Sequence, residues 1–160
     1  MARKGDNAAL NALAAAQNIG YPSSRAEKSI TFDGGTTNDI GDFNGTGNPG
    51  TLFTVTGRVI LTILAVCTTS LVGASATLEA GTALSTAGLI AQTTGTNIDV
   101  NEIWHDASPD ASVELTTVLT NKIVSQDVEL LVATANITAG VIKFIALWTP
   151  LSEDGNVVAA

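Results

Sequence analysis

The sequence predicts an all-β domain, an antiparallel β-sandwich of jelly-roll type, preceded by an N-terminal arm that is part extended and part short helix. Three observations predict it. From residue 29 onward, apolar residues recur with a period of two in short runs, the pattern of a strand with one buried face. Turn residues, mainly Gly and Asn, punctuate these runs at roughly the 8–12-residue spacing of a sandwich or barrel. The helical period is almost absent past residue 29. An immunoglobulin-like sandwich is the nearest alternative topology.

In order along the chain, "NAALNALAAAQN" (7–18) has helix-forming composition, with Asp6 as N-cap and Gly20 and Pro22 as its stop. Twelve residues are marginal as an isolated helix, so the segment must dock or remain mobile. "GYPSSRAEKS" (20–29) reads as an extended linker, which makes residues 1–29 an arm and 30–160 the sandwich domain. "SITFDGG" (29–35) is the first expected strand. The Gly-rich stretch 36–50 is a loop. "TLFTVTGRVILTILAVCT" (51–68) fits one long strand or two joined at Gly57. Further strands are expected within 73–83, 88–95, 96–105, 111–119, 122–136 and 139–151, with "TAN-ITAG-VIKF" forming a hairpin bent at Asn136 and Gly140. No internal repeat is visible.

Composition narrows the classes of function. The 160 residues are 45% hydrophobic but only 4% aromatic and 14% charged, against roughly 25% charged in an ordinary soluble domain. A surface of Thr, Ser and Ala costs less side-chain entropy to immobilise than one of Lys and Glu, so it suits contact with neighbours. Net charge is −8 and unevenly spread: residues 1–29 carry +2, while the remainder sets three cations against thirteen acids. Such a body excludes nucleic acid as its partner, because phosphate binding needs clustered Lys and Arg. No membrane span is expected either. The apolar run 59–74 is broken by Thr62, Thr68, Thr69 and Ser70 and falls short of the about 20 apolar residues a spanning helix needs. The start imitates a signal peptide, but Asp6, Asn7 and Asn11 occupy the place of its apolar segment. Cys67 is the single cysteine, so no intrachain disulfide forms, and it reads as a small buried hydrophobe.

Motifs for chemistry are sparse, and no catalytic residue and no cofactor is expected. His105 is the only histidine, in "EIWHDASPD". Its neighbour Asp106 points to the opposite face if the segment is a strand, and no serine stands in a nucleophile-elbow context. The segment reads as a strand end followed by a Pro-fixed turn, with Trp104 packing and His105 lacking partners for catalysis. "DFNGTGN" sets Asp42, Asn44 and Thr46 at alternate positions, as in the first half of an EF-hand loop. The twelfth position is Phe53 instead of Glu. Asp39, Asp42 and Asn44, with Asp33 nearby, are the candidate ligands of a structural calcium ion; the alternative is a Gly/Asn/Asp loop that needs no ion.

The stretches "GDFNGTGNPGTLFTVTGRVILTILAVCTTSL", "AGLIAQTTGTNIDVNEIWHDASPD" and "ALWTPLSEDGNVVAA" resemble small virion proteins of tailed bacteriophages, and the body, residues 30–160, is similar to capsid decoration (cement) proteins with jelly-roll or related folds. The resemblance implies a non-enzymatic structural protein on the outer surface of the capsid, often a trimer, which bridges subunits of the major capsid protein and stabilises the shell. It carries no defined site to map. It also implies a partner-binding arm, in which Arg3, Lys4 and Arg25 meet acidic patches while Leu10, Leu13, Ile19 and Tyr21 anchor apolar contacts. The alternative reading is a receptor- or glycan-binding head or tail module with Trp104 and His105 at an exposed tip.

Overall fold

A computed structural model of the chain describes residues 24–34 and 40–160. These form ten strands in two antiparallel sheets: β1 (Ser24–Thr31), β2 (Gly50–Thr56), β3 (Val59–Val72), β4 (Thr77–Thr82), β5 (Ser85–Thr94), β6 (Ile103–Trp104), β7 (Lys122–Val124), β8 (Val128–Ala133), β9 (Ala139–Pro150) and β10 (Asn156–Ala159). One sheet runs β1-β9-β3-β6, with β7 also on β3; the other runs β10-β2-β8-β4-β5.

Leaving aside β7 and β10, the pairs β1:β9, β2:β8, β3:β6 and β4:β5 describe one long antiparallel ribbon with its tip between β4 and β5. Folding that ribbon over brings β9 beside β3 and β8 beside β4. The result is the strand order of a jelly roll, as the sequence predicts.

The inward faces follow from alternation. In β9, residues 140, 142, 144, 146 and 148 are buried in strict alternation; in β8, Val128, Leu130 and Val132 do the same. β3 adds Val59, Leu61, Ile63, Ala65 and Cys67, and the opposite sheet adds Leu52, Phe53, Leu78, Ala80 and Ile90. The side chains of the two sheets meet in one core. Cys67 behaves as predicted: it is buried, and desolvation raises its thiol pKa.

Several elements differ from the sequence reading. Residues 24–29 are no linker but most of β1, which pairs with β9 from Ser24↔Trp148 to Thr31↔Val141. The run 51–68 agrees with the reading of two strands joined at Gly57, whose φ of 64° is left-handed, and the two lie in different sheets. Residues 96–102 and 111–119 are irregular apart from 3-10 turns at Gly95–Asn97 and Thr116–Val118. β8 and β9 are not a hairpin, since they lie in opposite sheets. Thr134, at φ 71°, turns the chain out of β8, and the Ala135 N–H bonds the Ala133 carbonyl. The chain then crosses between the sheets with Ile137 buried at the crossing. β10 was not anticipated; it pairs with β2.

The position of β1 yields a prediction. Removing residues 1–23 leaves the strand whole, whereas removing 1–28 takes away five of its eight paired positions and the packing of Ala26. The longer truncation should cost about 3 kcal/mol more than the shorter one. Scanning calorimetry of the two truncations checks this.

Candidate functional site

A long connection, 105–121, leaves β6 and returns at β7, both on the edge of β3. Connections of this length in compact domains usually carry function. The residue before it is held firmly. Trp104 is fully buried, pairs with Ala65 of β3, and meets the Phe144 ring edge-on at 6.1 Å between centroids. Ile103 and Asp110 exchange both backbone hydrogen bonds, at 2.9 and 2.8 Å, which closes a small loop over residues 104–109. Within it the Ser108 N–H donates to Asp106 Oδ1 at 2.7 Å, the side-chain turn expected of this segment.

This closure brings Asp110 back to His105. The imidazole Nε2 lies 3.1 Å from Asp110 Oδ2 and 3.3 Å from Glu114 Oε2. The His105 side chain is only 7% exposed, Glu114 18% and Asp110 39%, so the cluster opens to solvent on the Asp110 side. The other oxygen of Glu114 accepts the Leu115 N–H, which orients the carboxylate. The two acids differ in character. A hydrogen bond with Glu114, then burial and the Glu114 charge, raise the Asp110 pKa; the same bond with Asp110, then the Leu115 N–H and His105, lower that of Glu114.

The sequence places His105 without partners for catalysis; the structure gives it hydrogen-bond partners. It has two, five and nine residues away, and the sequence signal for them was faint: acidic residues beyond a Pro-containing turn. Both contacts use the same nitrogen, and both partners are carboxylates. Among the described residues His105 makes no hydrogen bond to a hydroxyl or thiol, so the serine–histidine pair of a hydrolase is not assembled.

The other predicted residues fall elsewhere. Asp42 is buried, and its Oδ1 accepts the Asn44 N–H in a local turn. Asn44 is exposed, and Asp33 Oδ1 accepts the Ile40 N–H. Asp39 lies outside the described residues. The 40–49 loop is pinned by Asn48, whose side chain bonds Phe43 O and both the N–H and C=O of Val132. Of the arm residues, Arg3, Lys4, Leu10, Leu13, Ile19 and Tyr21 lie outside the described residues. Arg25 belongs instead to β1, where it pairs with Glu27, which also pairs with Lys143 of β9. The glycan-binding reading needed Trp104 at an exposed tip; its ring is in the core.

Outside the core, several large apolar side chains are exposed. Val113, Leu115 and Val118 of the connection are exposed, as are Leu84 and Ile123, which line one open cleft of about 300 Å³ with Leu89 and Val124. Lys122, at the rim of that cleft, donates to the carbonyls of Gly88 and Leu89, which ties its charge to the backbone. A second cavity of about 410 Å³ lies between β1 and the 40–50 loop, walled by Ile30, Phe32, Leu130 and Val132.

Compared with known proteins, the chain matches no family model, no curated protein and no solved structure.

Proposed function

We propose that the chain is a structural protein of a phage virion, a decoration protein that binds the outer surface of the capsid, bridges subunits of the major capsid protein and stabilises the shell without catalysis. The observation that carries this reading is the set of large apolar side chains left outside a completed core: Leu84 is 85% exposed, Val113 83%, Leu115 69% and Ile123 69%. Apolar surface of this kind suits contact with another protein. The charge-poor sandwich and the resemblance to phage virion proteins support the same reading. Self-association, with a trimer as the working expectation, fits a small β body that buries such surface against copies of itself.

Co-sedimentation with capsids stripped of this protein tests it. The full chain should pellet with the capsids and raise their resistance to heat. Val113→Asp with Leu115→Asp should leave the circular dichroism unchanged and weaken binding at least tenfold, because each buried charge meets an apolar partner. Removal of residues 1–23 should also weaken attachment. A full chain that stays in the supernatant at every concentration would overturn the reading.

A further inference from the structure

We infer that His105, Asp110 and Glu114 form a binding site for one divalent transition-metal ion, with Zn²⁺ the best-matched species. This goes beyond the virion reading and does not depend on it.

The donor set is the first argument. One imidazole nitrogen and two carboxylate oxygens lie within 4.8 Å of one another. Zinc accepts both kinds of donor at about 2.0–2.2 Å, so two ligands on a tetrahedral ion stand roughly 3.3 Å apart. The two nitrogen–oxygen separations, 3.1 and 3.3 Å, match that edge. The imidazole favours Zn²⁺ over Ca²⁺ or Mg²⁺, which prefer all-oxygen sites.

Electrostatics is the second. Both acids turn inward onto the same nitrogen, yet among the described residues neither forms an ion pair with Lys or Arg. A bound cation supplies the missing charge.

The third argument is preorganisation. His105 follows the buried Trp104, Asp110 is fixed by its two backbone bonds to Ile103, and the Leu115 N–H holds the second oxygen of Glu114. The backbone of Asp110 and the carboxylate of Glu114 are thus held, and His105 is anchored by its neighbour in the core. Three protein ligands leave a fourth position, open on the Asp110 side, for water.

The site also has a structural consequence. Residues 111–120 are tied back to the sheet through Glu114, whose side chain reaches His105 nine positions earlier. An ion held by all three side chains closes that span and fixes the stretch that presents Val113 and Leu115.

The test uses the full chain, stripped with a chelator and titrated with ZnCl₂ by isothermal calorimetry. One equivalent should bind with a Kd on the order of 1 μM or tighter, raise the melting temperature by several degrees, and slow amide exchange across residues 105–119. His105→Gln and Glu114→Gln should each weaken binding about 10–100-fold, whereas the exposed and distant Glu153→Gln should not. Co²⁺ added to the unmutated chain should give the visible absorption of a tetrahedral ion, a readout independent of whether the variants fold. No saturable Zn²⁺ binding, binding unchanged in both ligand variants, or preference for Ca²⁺ over Zn²⁺ would overturn the inference.

Discussion

Trp104→Ala should be among the most damaging single substitutions in this domain, with a loss of about 3–5 kcal/mol. That is a large part of the roughly 5–15 kcal/mol that stabilises a typical domain. The indole is fully buried, stands edge-on to Phe144 and lies on a two-residue strand with few backbone bonds of its own. Its removal opens a cavity beside β3 and frees the connection that begins at His105. Trp104→Phe should cost less, about 1–2 kcal/mol, because a phenyl ring retains the aromatic contact and removes the buried indole N–H, which has no hydrogen-bond partner. Urea unfolding of both variants measures the difference. Equal losses would show that the indole's extra volume and not the aromatic contact dominates.

Gly41→Ala should be nearly as severe, at roughly 3 kcal/mol. Gly41 has φ 107°, and a Cβ there would sit 2.3 Å from the carbonyl oxygen of Ile137 and 3.1 Å from the Phe32 ring. Neither the backbone carbonyl nor the buried ring can retreat cheaply. The Ile137 carbonyl also accepts the Gly34 N–H, and the Ile137 N–H donates to the Gly41 carbonyl. Gly95→Ala is the instructive comparison. Its Cβ would press on the side-chain tips of Ile137 and Leu78, at 2.6 and 3.1 Å, and make ordinary contact with the Ala76 carbonyl oxygen at 3.6 Å. The tips can shift, so the cost should be about 1–2 kcal/mol. Thermal unfolding of the pair checks the order; a reversed ranking would mean that the crossing at Ile137 is not rigidly held.

Much of this fold was legible in the sequence wherever alternation ran uninterrupted. The strand expected at 139–151 emerged as β9 because "VIKFIALW" places Ile142, Phe144, Ala146 and Trp148 on one face. Alternation misled where it had no partner strand. Val113, Leu115 and Val118 are strand-like in type, but they occupy an irregular connection and face solvent. It was silent where a strand is short and mostly exposed, as in β10. At the candidate site the sequence exposed the rarity of His105 and the turn after it, yet not its partners. Asp110 reaches His105 only because Ile103 and Asp110 pair, and Glu114 only because the connection folds back.

By itself, then, the sequence determined that the domain is all-β, roughly where its strands lie and which side chains point inward. A period of two is local and is written in consecutive residues. Tertiary structure alone decided which sheet receives each strand, that β8 crosses to β9 over Ile137 instead of turning in a hairpin, and that three separated polar side chains converge on one point. Those outcomes depend on pairings between residues far apart in the chain. The free energy of such pairings comes from shared burial and from backbone hydrogen bonds completed elsewhere, and no local pattern records it.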